Sequence, residues 1–508
     1  MREPWYSRTC AELLCAKSAR KYRMGTRTSS SDGPERVINR GTFLLLDPPS
    51  TADFCRRGSL REKDAAQNAP FPNIDLILLS GAVREAGYAP TYVDAQLNRI
   101  SWTELEAQLA ANPPAGIVSL VSSSRIDEEV AAIGRLKAAL GNIPVYTVGT
   151  VILQRGHQRV TQILTDNPWL DGIILNAAEN NLTDLLRGHG SAVQVEPFNI
   201  AVQGGRQPAI AAPKVRYGQG LRLARPEHSI FMDKRYCFPQ SKRGPVTCVQ
   251  FSFGCPFTCE FCIDNQLYRN MLYRDVDDMV EELVEADRLG FREVYFKDLT
   301  FALNKPIAVE FLRKLAARKL RLRWLCTTRV DVASPEMLTM MKQAGCYAIE
   351  FGVEHAKEST RRRIDKRIND DRIHAVFADC RRLKISTTAF IMLAFEDDTE
   401  DDVRATIRFA RALRPNFVSF NVVNALPGTA YEERARREGF LREGPGDYGF
   451  ATSNIKHRYL TPQKVEELRR EALRKFYFTP SMLLGKLFEV RSWFELKKLV
   501  RLGRAAMG

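Results

Sequence analysis

Two stretches of the chain alternate short apolar runs with amphipathic segments, and this alternation limits the fold more than any other feature. The first stretch covers residues 42–190 and the second covers residues 246–430. Short apolar runs indicate buried strands, whereas apolar residues repeated every three to four positions indicate helices. Strands that alternate with helices at this spacing usually pair in parallel. The sequence therefore predicts two consecutive α/β units.

The first unit is predicted to be a doubly wound, Rossmann-like domain. Its strands are expected at 43–47, 91–94, 116–121, 144–149 and 171–175, and its helices at 74–86, 102–111, 125–140 and 158–165. Sheets of this kind bind ligands beyond the carboxyl ends of their strands. We expect a ligand site at that edge.

The second unit is predicted to be a partial (β/α)6 barrel. Its strands are expected at 247–253, 293–296, 323–328, 347–352, 386–393 and 417–423, and its helices at 276–289, 306–316, 335–344, 373–383 and 399–412. Thr399 is placed to cap the last of these helices. The other predicted regions are a basic extension over 1–41, a linker rich in Gly and Pro over 191–245, and a helical basic region over 431–508.

Composition excludes several classes of protein. The chain has 44% hydrophobic and 27% charged residues, which is typical of a globular protein and not of a disordered one. No apolar run approaches the ~18 residues of a membrane-spanning helix. The N-terminal region has no apolar signal segment, and the 11 cysteines are unevenly spaced. We therefore expect a cytoplasmic protein and no disulfide scaffold.

The positive charge is concentrated near the two ends of the chain. Of the net charge of +15, residues 1–40 carry +5 and residues 461–508 carry +6. Since nucleic-acid-binding domains usually carry their charge on the folded binding face, we expect no nucleic acid partner. In 461–508 apolar and basic residues are interleaved. This pattern fits either packing on the open side of the barrel or peripheral contact with an anionic membrane surface.

Three cysteines lie close together just after the first strand of the barrel. Cys255, Cys259 and Cys262 have the spacing C-x3-C-x2-C. Three thiolates on one loop can hold three irons of a cubane cluster and leave the fourth iron without a protein ligand. A zinc site usually needs four ligands or a histidine, and the nearest histidines, His228 and His355, are far away in sequence. The scattered cysteines are interpreted as small buried apolar residues.

This spacing, with the aromatic Phe261 just before the last cysteine, resembles the signature of the radical S-adenosylmethionine (SAM) superfamily. Residues 352–354 resemble the superfamily's G-x-E segment, 427–429 its P-G-T segment, and Arg329 and Asp331 its R-x-D segment. Residues 390–399 depart from the usual G-x-x-x-G-x-P-x-x-T. Residues 390 and 394 are Phe and Ala in place of glycine, and residue 396 is Glu in place of proline.

The resemblance implies a [4Fe–4S] cluster on the three cysteines and SAM as its ligand. Strand-end positions then nominate Asp298, Arg329 and Glu354 as SAM contacts, with Arg329 placed to bind the methionine carboxylate. The resemblance adds Phe261 of the cysteine motif as a further SAM contact. It also implies an external one-electron reductant of the flavodoxin or ferredoxin type.

The first unit resembles the cobalamin-binding domains that are fused to radical enzymes. The resemblance is carried by residues 47–50, 79–88 and 93–95, and by Gly149 and Thr150, which are nominated as cobalamin contacts. The D-x-H-x-x-G motif that supplies a histidine ligand to cobalt is absent, so no such ligand is expected.

Together these features imply a cobalamin-dependent radical SAM methyltransferase that acts on an unactivated carbon of a small or lipid-like metabolite. A non-methylating radical cyclase or oxidase of the same architecture is the main alternative. A tRNA methylthiotransferase is a further alternative, although that family has three more N-terminal cluster cysteines and a C-terminal β-barrel. The last alternative is a non-catalytic protein that binds an iron–sulfur cluster.

Overall fold

A computed structural model describes most of the chain between residues 40 and 479. The described ranges are 40–49, 55–57, 60–62, 70–122, 125–149, 152, 156–178, 180–188, 199–202, 220–264, 271–442 and 452–479. The described residues belong to one compact unit, which contains two six-stranded sheets.

The first sheet has six strands in the order β4-β1-β5-β6-β7-β8. Its strands are β1 (Thr42–Asp47), β4 (Ala89–Asp94), β5 (Ile117–Leu120), β6 (Val145–Val148), β7 (Gly172–Ile174) and β8 (Ile200–Ala201); β2 (Cys55–Arg57) and β3 (Leu60–Glu62) form a separate hairpin. The helices of this half are α1 (Ile74–Glu85), α2 (Trp102–Ala111), α3 (Ile126–Leu140), α4 (His157–Asp166) and α5 (Leu182–Gly188). β1 pairs in parallel with both β4 and β5. β5 pairs in parallel with β6, and β6 with β7, whereas β8 runs antiparallel to β7.

The second sheet is open and parallel, in the order β16-β15-β14-β13-β12-β9. Its strands are β9 (Val246–Val249), β12 (Glu293–Phe296), β13 (Arg323–Thr328), β14 (Cys346–Glu354), β15 (Ser386–Leu393) and β16 (Phe417–Val422), while β10 (Ser252–Phe253) and β11 (Leu272–Tyr273) pair separately. The helices are α6 (Val276–Leu289), α7 (Lys305–Ala317), α8 (Pro335–Gln343), α9 (Glu358–Arg363), α10 (Asp370–Arg382), α11 (Glu400–Ala412), α12 (Ala430–Arg437) and α13 (Pro462–Tyr477).

These two sheets confirm the predicted fold class, a doubly wound unit followed by a partial barrel. The predicted cap is also present, because the Thr399 side chain accepts from the backbone N–H of Asp402 and the Asp402 side chain completes a capping box. One strand lies where only a linker was expected. β8 is short and pairs antiparallel at the sheet edge, so it leaves no periodic pattern in the sequence.

The two sheets are joined by a common hydrophobic core. One cluster of buried side chains contains Leu45 and Val118 from the first sheet together with Val246, Leu325 and Ala348 from the second. Because these residues exclude water as a single group, separating the halves would expose apolar surface from both. The position of the first sheet relative to the barrel is therefore determined by core packing.

Helix α13 covers the open edge of the barrel. Its side chains Leu468 and Phe476 are buried in the barrel core, and the Tyr477 hydroxyl donates to the Val418 carbonyl at 2.7 Å. This part of the basic C-terminal region therefore packs on the protein, as one of the two interpretations predicted. Residues 480–508 lie outside the described ranges. Within those ranges, no helix combines the length and the apolar character that crossing a bilayer requires.

A buried cluster of charges attaches the segment before β9 to helix α6. Glu282 is fully buried, and its carboxylate lies 2.7 Å from Arg274 and 3.1 Å from His228. Burial by itself would raise the pKa of Glu282, but Arg274 and His228 lower it to about 2. The ionised carboxylate therefore stabilises the folded state at pH values above its ordinary pKa of 4.5, and this contribution is lost as the pH falls through about 2.

We predict that Glu282→Gln lowers the free energy of unfolding by about 3 kcal/mol at neutral pH, since it removes the fully buried one of the two carboxylates, Glu282 and Asp278, that pair with the buried Arg274 guanidinium. The difference from the wild type should shrink as the pH falls from 4.5 towards 2. Urea denaturation followed by circular dichroism measures both effects. The matched control is Glu281→Gln, one residue away on α6, where a half-exposed carboxylate pairs with Arg318; its unfolding midpoint should not change. Equal effects of the two substitutions would contradict the prediction.

Candidate active site

The three clustered cysteines border one cavity at the carboxyl ends of the barrel strands. The cavity has a volume of about 160 Å³, and Cys255, Cys259 and Cys262 contribute to its lining. Gly254, just before the first of them, has a φ of 91°, a conformation that turns the chain out of β10 and that glycine adopts without strain. Within the described ranges, no group of three His, Cys, Asp or Glu side chains converges as it would on a single metal ion. Thiol donors spaced around a cavity fit a multi-iron cluster.

Arg329 connects the cysteine loop to the loop that follows α9. Its Nε and Nη2 donate to the two carboxylate oxygens of Asp331, each at 2.9 Å, and Nη2 also donates to the Lys366 carbonyl at 2.9 Å. Its Nη1 lies 3.6 Å from the Cys259 sulfur, and its guanidinium stacks 3.7 Å from the ring centroid of Phe257. The side chain is buried and lines the cavity, but all three of its nitrogens already have partners in the protein.

Positive charge surrounds the central cysteine. Burial raises the pKa of the Cys259 thiol, while nearby Lys366 and Arg329 act in the opposite direction. These two cations would offset the negative charge of the Cys259 thiolate if it bound iron.

Asp298 lies beneath the cysteine loop and is not among the residues that line the cavity. Its Oδ2 accepts from the backbone N–H of Phe251 at 3.1 Å, and its Oδ1 accepts from the N–H of Ser252 at 2.6 Å and from the Ser252 hydroxyl. Burial raises its pKa to about 6. The strand-end position nominated Asp298 as a SAM contact, whereas these contacts show a carboxylate that supports the backbone leading into the cysteine loop.

Glu354 and Lys366 form a buried ion pair in the cavity wall. Their Oε1 and Nζ atoms are 2.9 Å apart, and both residues line the cavity. The backbone of Glu354 has a φ of 70°, which is rare for a residue other than glycine and falls where β14 shifts register against β15. The sequence nominated Glu354 but missed Lys366, because Lys366 lies in an irregular segment within a run of Arg and Lys that resembles a solvated surface.

Phe261 extends from the cavity wall into the adjoining core. It lines the cavity and packs against a cluster that includes Ile364, Phe395 and Tyr431. The aromatic residue in the cysteine motif therefore anchors the loop as well as shaping the cavity.

The departure at strand β15 is accommodated in the structure. Ala394 has a φ of 63°, the left-handed conformation that a glycine would adopt more readily, and Phe390 lines the cavity. The Glu396 carboxylate is 2.8 Å from Arg434 and 2.7 Å from the Tyr431 hydroxyl. It therefore attaches α12 to the end of this strand.

Of the two nominated cobalamin residues, Gly149 lies at the carboxyl edge of the first sheet, directly after β6. A Cβ atom on Gly149 would lie 1.9 Å from Ile173, so this position requires glycine for packing against β7. Thr150 lies outside the described ranges. Ser122 follows β5 at the same edge, and its buried hydroxyl has no hydrogen-bond partner among the described residues. An unpartnered hydroxyl at this edge fits a polar ligand there.

Comparison with known proteins agrees with this arrangement. Residues 249–410 match the family model of the radical SAM superfamily. The chain is 28% identical over 260 residues to an uncharacterized methyltransferase of Pyrococcus horikoshii, a match that covers 51% of this chain and only 56% of that protein. It is 24% identical to the anaerobic magnesium-protoporphyrin IX monomethyl ester cyclase of Cereibacter sphaeroides, covering 81% of this chain and 68% of the relative.

A solved structure has the same architecture. It is the radical SAM methyltransferase TsrM from Kitasatospora setae with cobalamin and a [4Fe–4S] cluster bound, which aligns with a TM-score of 0.63 at 14% identity and covers 92% of this chain and 99% of that one. At this identity the likeness establishes the fold alone.

We predict that replacing any one of Cys255, Cys259 and Cys262 with Ala abolishes the iron content and visible absorbance of the reconstituted [4Fe–4S] centre, because each thiolate holds one iron. Iron analysis and absorption spectroscopy on anaerobically prepared protein measure this. The control replaces Cys10, Cys15 and Cys55 together with Ser and should leave iron unchanged. Loss of iron in that control would contradict a single-cluster site.

Proposed function

We propose that this chain, whose residues 249–410 form a radical SAM domain, is a cobalamin-dependent radical SAM methyltransferase acting on an unactivated carbon of a small or lipid-like metabolite. The observation that carries the proposal is the cavity in which the three cysteines meet Arg329 and the Glu354–Lys366 pair. When bound, the cluster would supply the electron that cleaves SAM to a 5′-deoxyadenosyl radical, and methylcobalamin would supply the methyl group.

The chain's own residues have three tasks in this proposal. The cysteines hold the cluster, and the charged side chains of the cavity hold SAM against it. The aromatic side chains of Phe257, Phe261 and Phe390 line the same cavity and would exclude water from a reactive radical. The electron would come from an external flavodoxin or ferredoxin.

The cobalamin assignment rests on the fold and on the carboxyl edge of the first sheet. Doubly wound sheets bind ligands at this edge, and the order β4-β1-β5 places a topological switch point between β1 and β5. Ser122 lies beside that point with its hydroxyl buried. Gly149 and Thr150 remain predicted contacts.

A non-methylating radical reaction is the second candidate, favoured by the similarity to the cyclase over 81% of the chain. Both candidates need the same cavity, since both begin with cleavage of SAM. They differ in the fate of the SAM methyl group.

We predict that anaerobic protein loaded with cobalamin and given reductant and SAM carrying a CD3 methyl group forms 5′-deoxyadenosine and transfers CD3 to cobalamin. Mass spectrometry of the extracted nucleoside and cobalamin measures both products without knowledge of the final substrate. The control omits cobalamin and should show no labelled methyl carrier. 5′-Deoxyadenosine without labelled cobalamin would favour the non-methylating reaction, and the absence of both would overturn the radical assignment.

We further propose that the basic residues beyond α13 contact an anionic membrane surface. Each Lys or Arg near such a surface contributes on the order of 1 kcal/mol, and salt screens this contribution. We predict that the full chain sediments with anionic liposomes at low salt and is released at high salt, whereas a chain ending at Thr479 stays in the supernatant. A full chain that stays in the supernatant at low salt would disprove membrane contact.

A further inference from the structure

A group of exposed arginines borders the solvent side of the cysteine loop. We propose that this group, termed the arginine face, is the docking surface for an acidic one-electron carrier protein that reduces the cluster. The face consists of Arg362, Arg367, Arg436, Arg437 and Arg458. The inference rests on the proposed function, because an electron is needed only if the three cysteines hold a redox-active cluster.

Two of the segments that carry these arginines contact the cysteine loop directly. The Glu260 N–H donates to the Ile364 carbonyl at 3.1 Å, and the Thr258 hydroxyl donates to the Asp365 carboxylate. The Glu260 carboxylate lies 3.1 Å from Arg434 of α12. The loop after α9 and helix α12 therefore flank the loop whose cysteines would hold the cluster.

A third segment joins the same face through the end of β15. The Arg458 N–H donates to the Glu396 carbonyl at 2.9 Å, and the Arg458 guanidinium lies 3.4 Å from the Asp397 carboxylate. Glu396 pairs in turn with Arg434 of α12 at 2.8 Å. Tyr459, the next residue, is 60% exposed. Because tyrosine and arginine are enriched among the residues that carry binding energy at protein interfaces, this composition fits a protein partner.

The guanidinium is the outer member of each ion pair that the arginine face makes. The five arginine side chains are 68–78% exposed, whereas the carboxylates that pair with them are 19–47% exposed. The order is reversed at Lys314 and Asp277, where the carboxylate is the more exposed partner. An approaching protein therefore meets positive charge first. Since exposed ion pairs contribute little to stability, these arginines can exchange their carboxylates for those of a partner at low cost.

The loop after α9 also concentrates net charge beside the cysteines. Residues 358–367 contain five Lys or Arg and two Asp or Glu, a net charge of +3. Residues 41–460 together carry +4, because residues 1–40 and 461–508 account for +5 and +6 of the total of +15. This one segment thus carries a charge almost equal to that of the whole region between the basic ends. A local positive field of this kind raises the association rate of an acidic partner by about 10-fold to 10³-fold at low salt.

A carrier docked on the arginine face would cover the solvent side of the cysteine loop. Pro256 and Thr258 are exposed there, whereas Cys259 beside them is buried. One electron would pass from the carrier to the cluster, so the carrier is oxidised by one electron and the cluster is reduced by one. No proton or group moves in this step. Proteins that exchange electrons typically form small, weak interfaces, and a charged face of five side chains matches such a contact.

The first test measures carrier binding separately from activity. Dissociation constants for oxidised flavodoxin and for oxidised ferredoxin, both acidic carriers, are determined by isothermal titration calorimetry on anaerobic, cluster-loaded protein. Arg362→Glu combined with Arg367→Glu should weaken binding of the preferred carrier about tenfold at low salt, and high salt should remove the difference from the wild type. Arg362→Lys combined with Arg367→Lys keeps the charge and should retain the affinity.

The second test follows reduction of the cluster by stopped-flow absorption. With the reduced carrier, the charge-reversed double variant should show a second-order rate constant about tenfold lower than the wild type at low salt. With photoreduced 5-deazaflavin, a small uncharged reductant, the two rates should be equal. The matched control is Arg318→Glu, because Arg318 is half-exposed, pairs with Glu281 and lies directly after α7, just before β13 begins; it should leave carrier binding and both rates unchanged. Iron content is measured for every variant.

The outcomes separate this inference from the proposed function. If the wild type forms no 5′-deoxyadenosine with either reductant, the proposed function fails and the inference fails with it. If deazaflavin supports SAM cleavage but the wild type binds neither carrier, or the charge-reversed variant binds and accepts electrons as the wild type does, the proposed function stands and the docking surface is disproved.

Two further results would also overturn the inference. An equal loss in Arg318→Glu would show that the effect depends on net charge alone and not on the arginine face. Loss of sedimentation with anionic liposomes in the charge-reversed variant, with carrier binding unchanged, would assign the face to a membrane surface instead.

Discussion

The contact between the Arg329 guanidinium and the cysteine loop is the interaction on which the rest of the site depends. The guanidinium stacks on Phe257, lies 3.6 Å from the Cys259 sulfur and holds the carbonyl of Lys366. It thereby joins two loops that lie about a hundred positions apart in the sequence. A planar group with donors in several directions can make these contacts at once, whereas a lysine ammonium has neither the plane nor the spread of donors. Both the cysteine loop and Lys366 are positioned through this one side chain.

The cysteine loop is also held at its two ends. Asp298 accepts from the backbone of Phe251 and Ser252 just before the loop. Near its other end, the Glu260 carbonyl accepts from the Tyr431 N–H at 2.9 Å. A cysteine loop supported in this way would keep its geometry if charge changed at a bound cluster, because the surrounding groups have little freedom to reorient.

The sequence predicted the strands and helices better than it predicted the side-chain contacts. Helices such as α6 and α2 begin and end where the apolar period does, and the cysteine motif and Glu354 lie at one cavity as expected. Asp298 shows the limit of predicting side-chain contacts from sequence. A position at the end of a strand does not reveal whether the carboxylate faces the cavity or the backbone below it. Lys366 was missed for a related reason: burial within a run of basic residues arises from long-range packing, which has no period in the sequence.

The unusual end of strand β15 shows how a departure from a motif can be compensated. Alanine in the left-handed conformation at residue 394 costs about 1 kcal/mol relative to glycine. The Glu396 carboxylate, two residues later, pairs with Arg434 and accepts from Tyr431, and Arg434 also pairs with Glu260 at 3.1 Å. The residue that replaces proline therefore connects the strand through α12 to the cysteine loop. The cost of the strained backbone at Ala394 is offset by this network of charged side chains, which holds the cysteine loop at Glu260. The altered segment therefore helps to support the cavity.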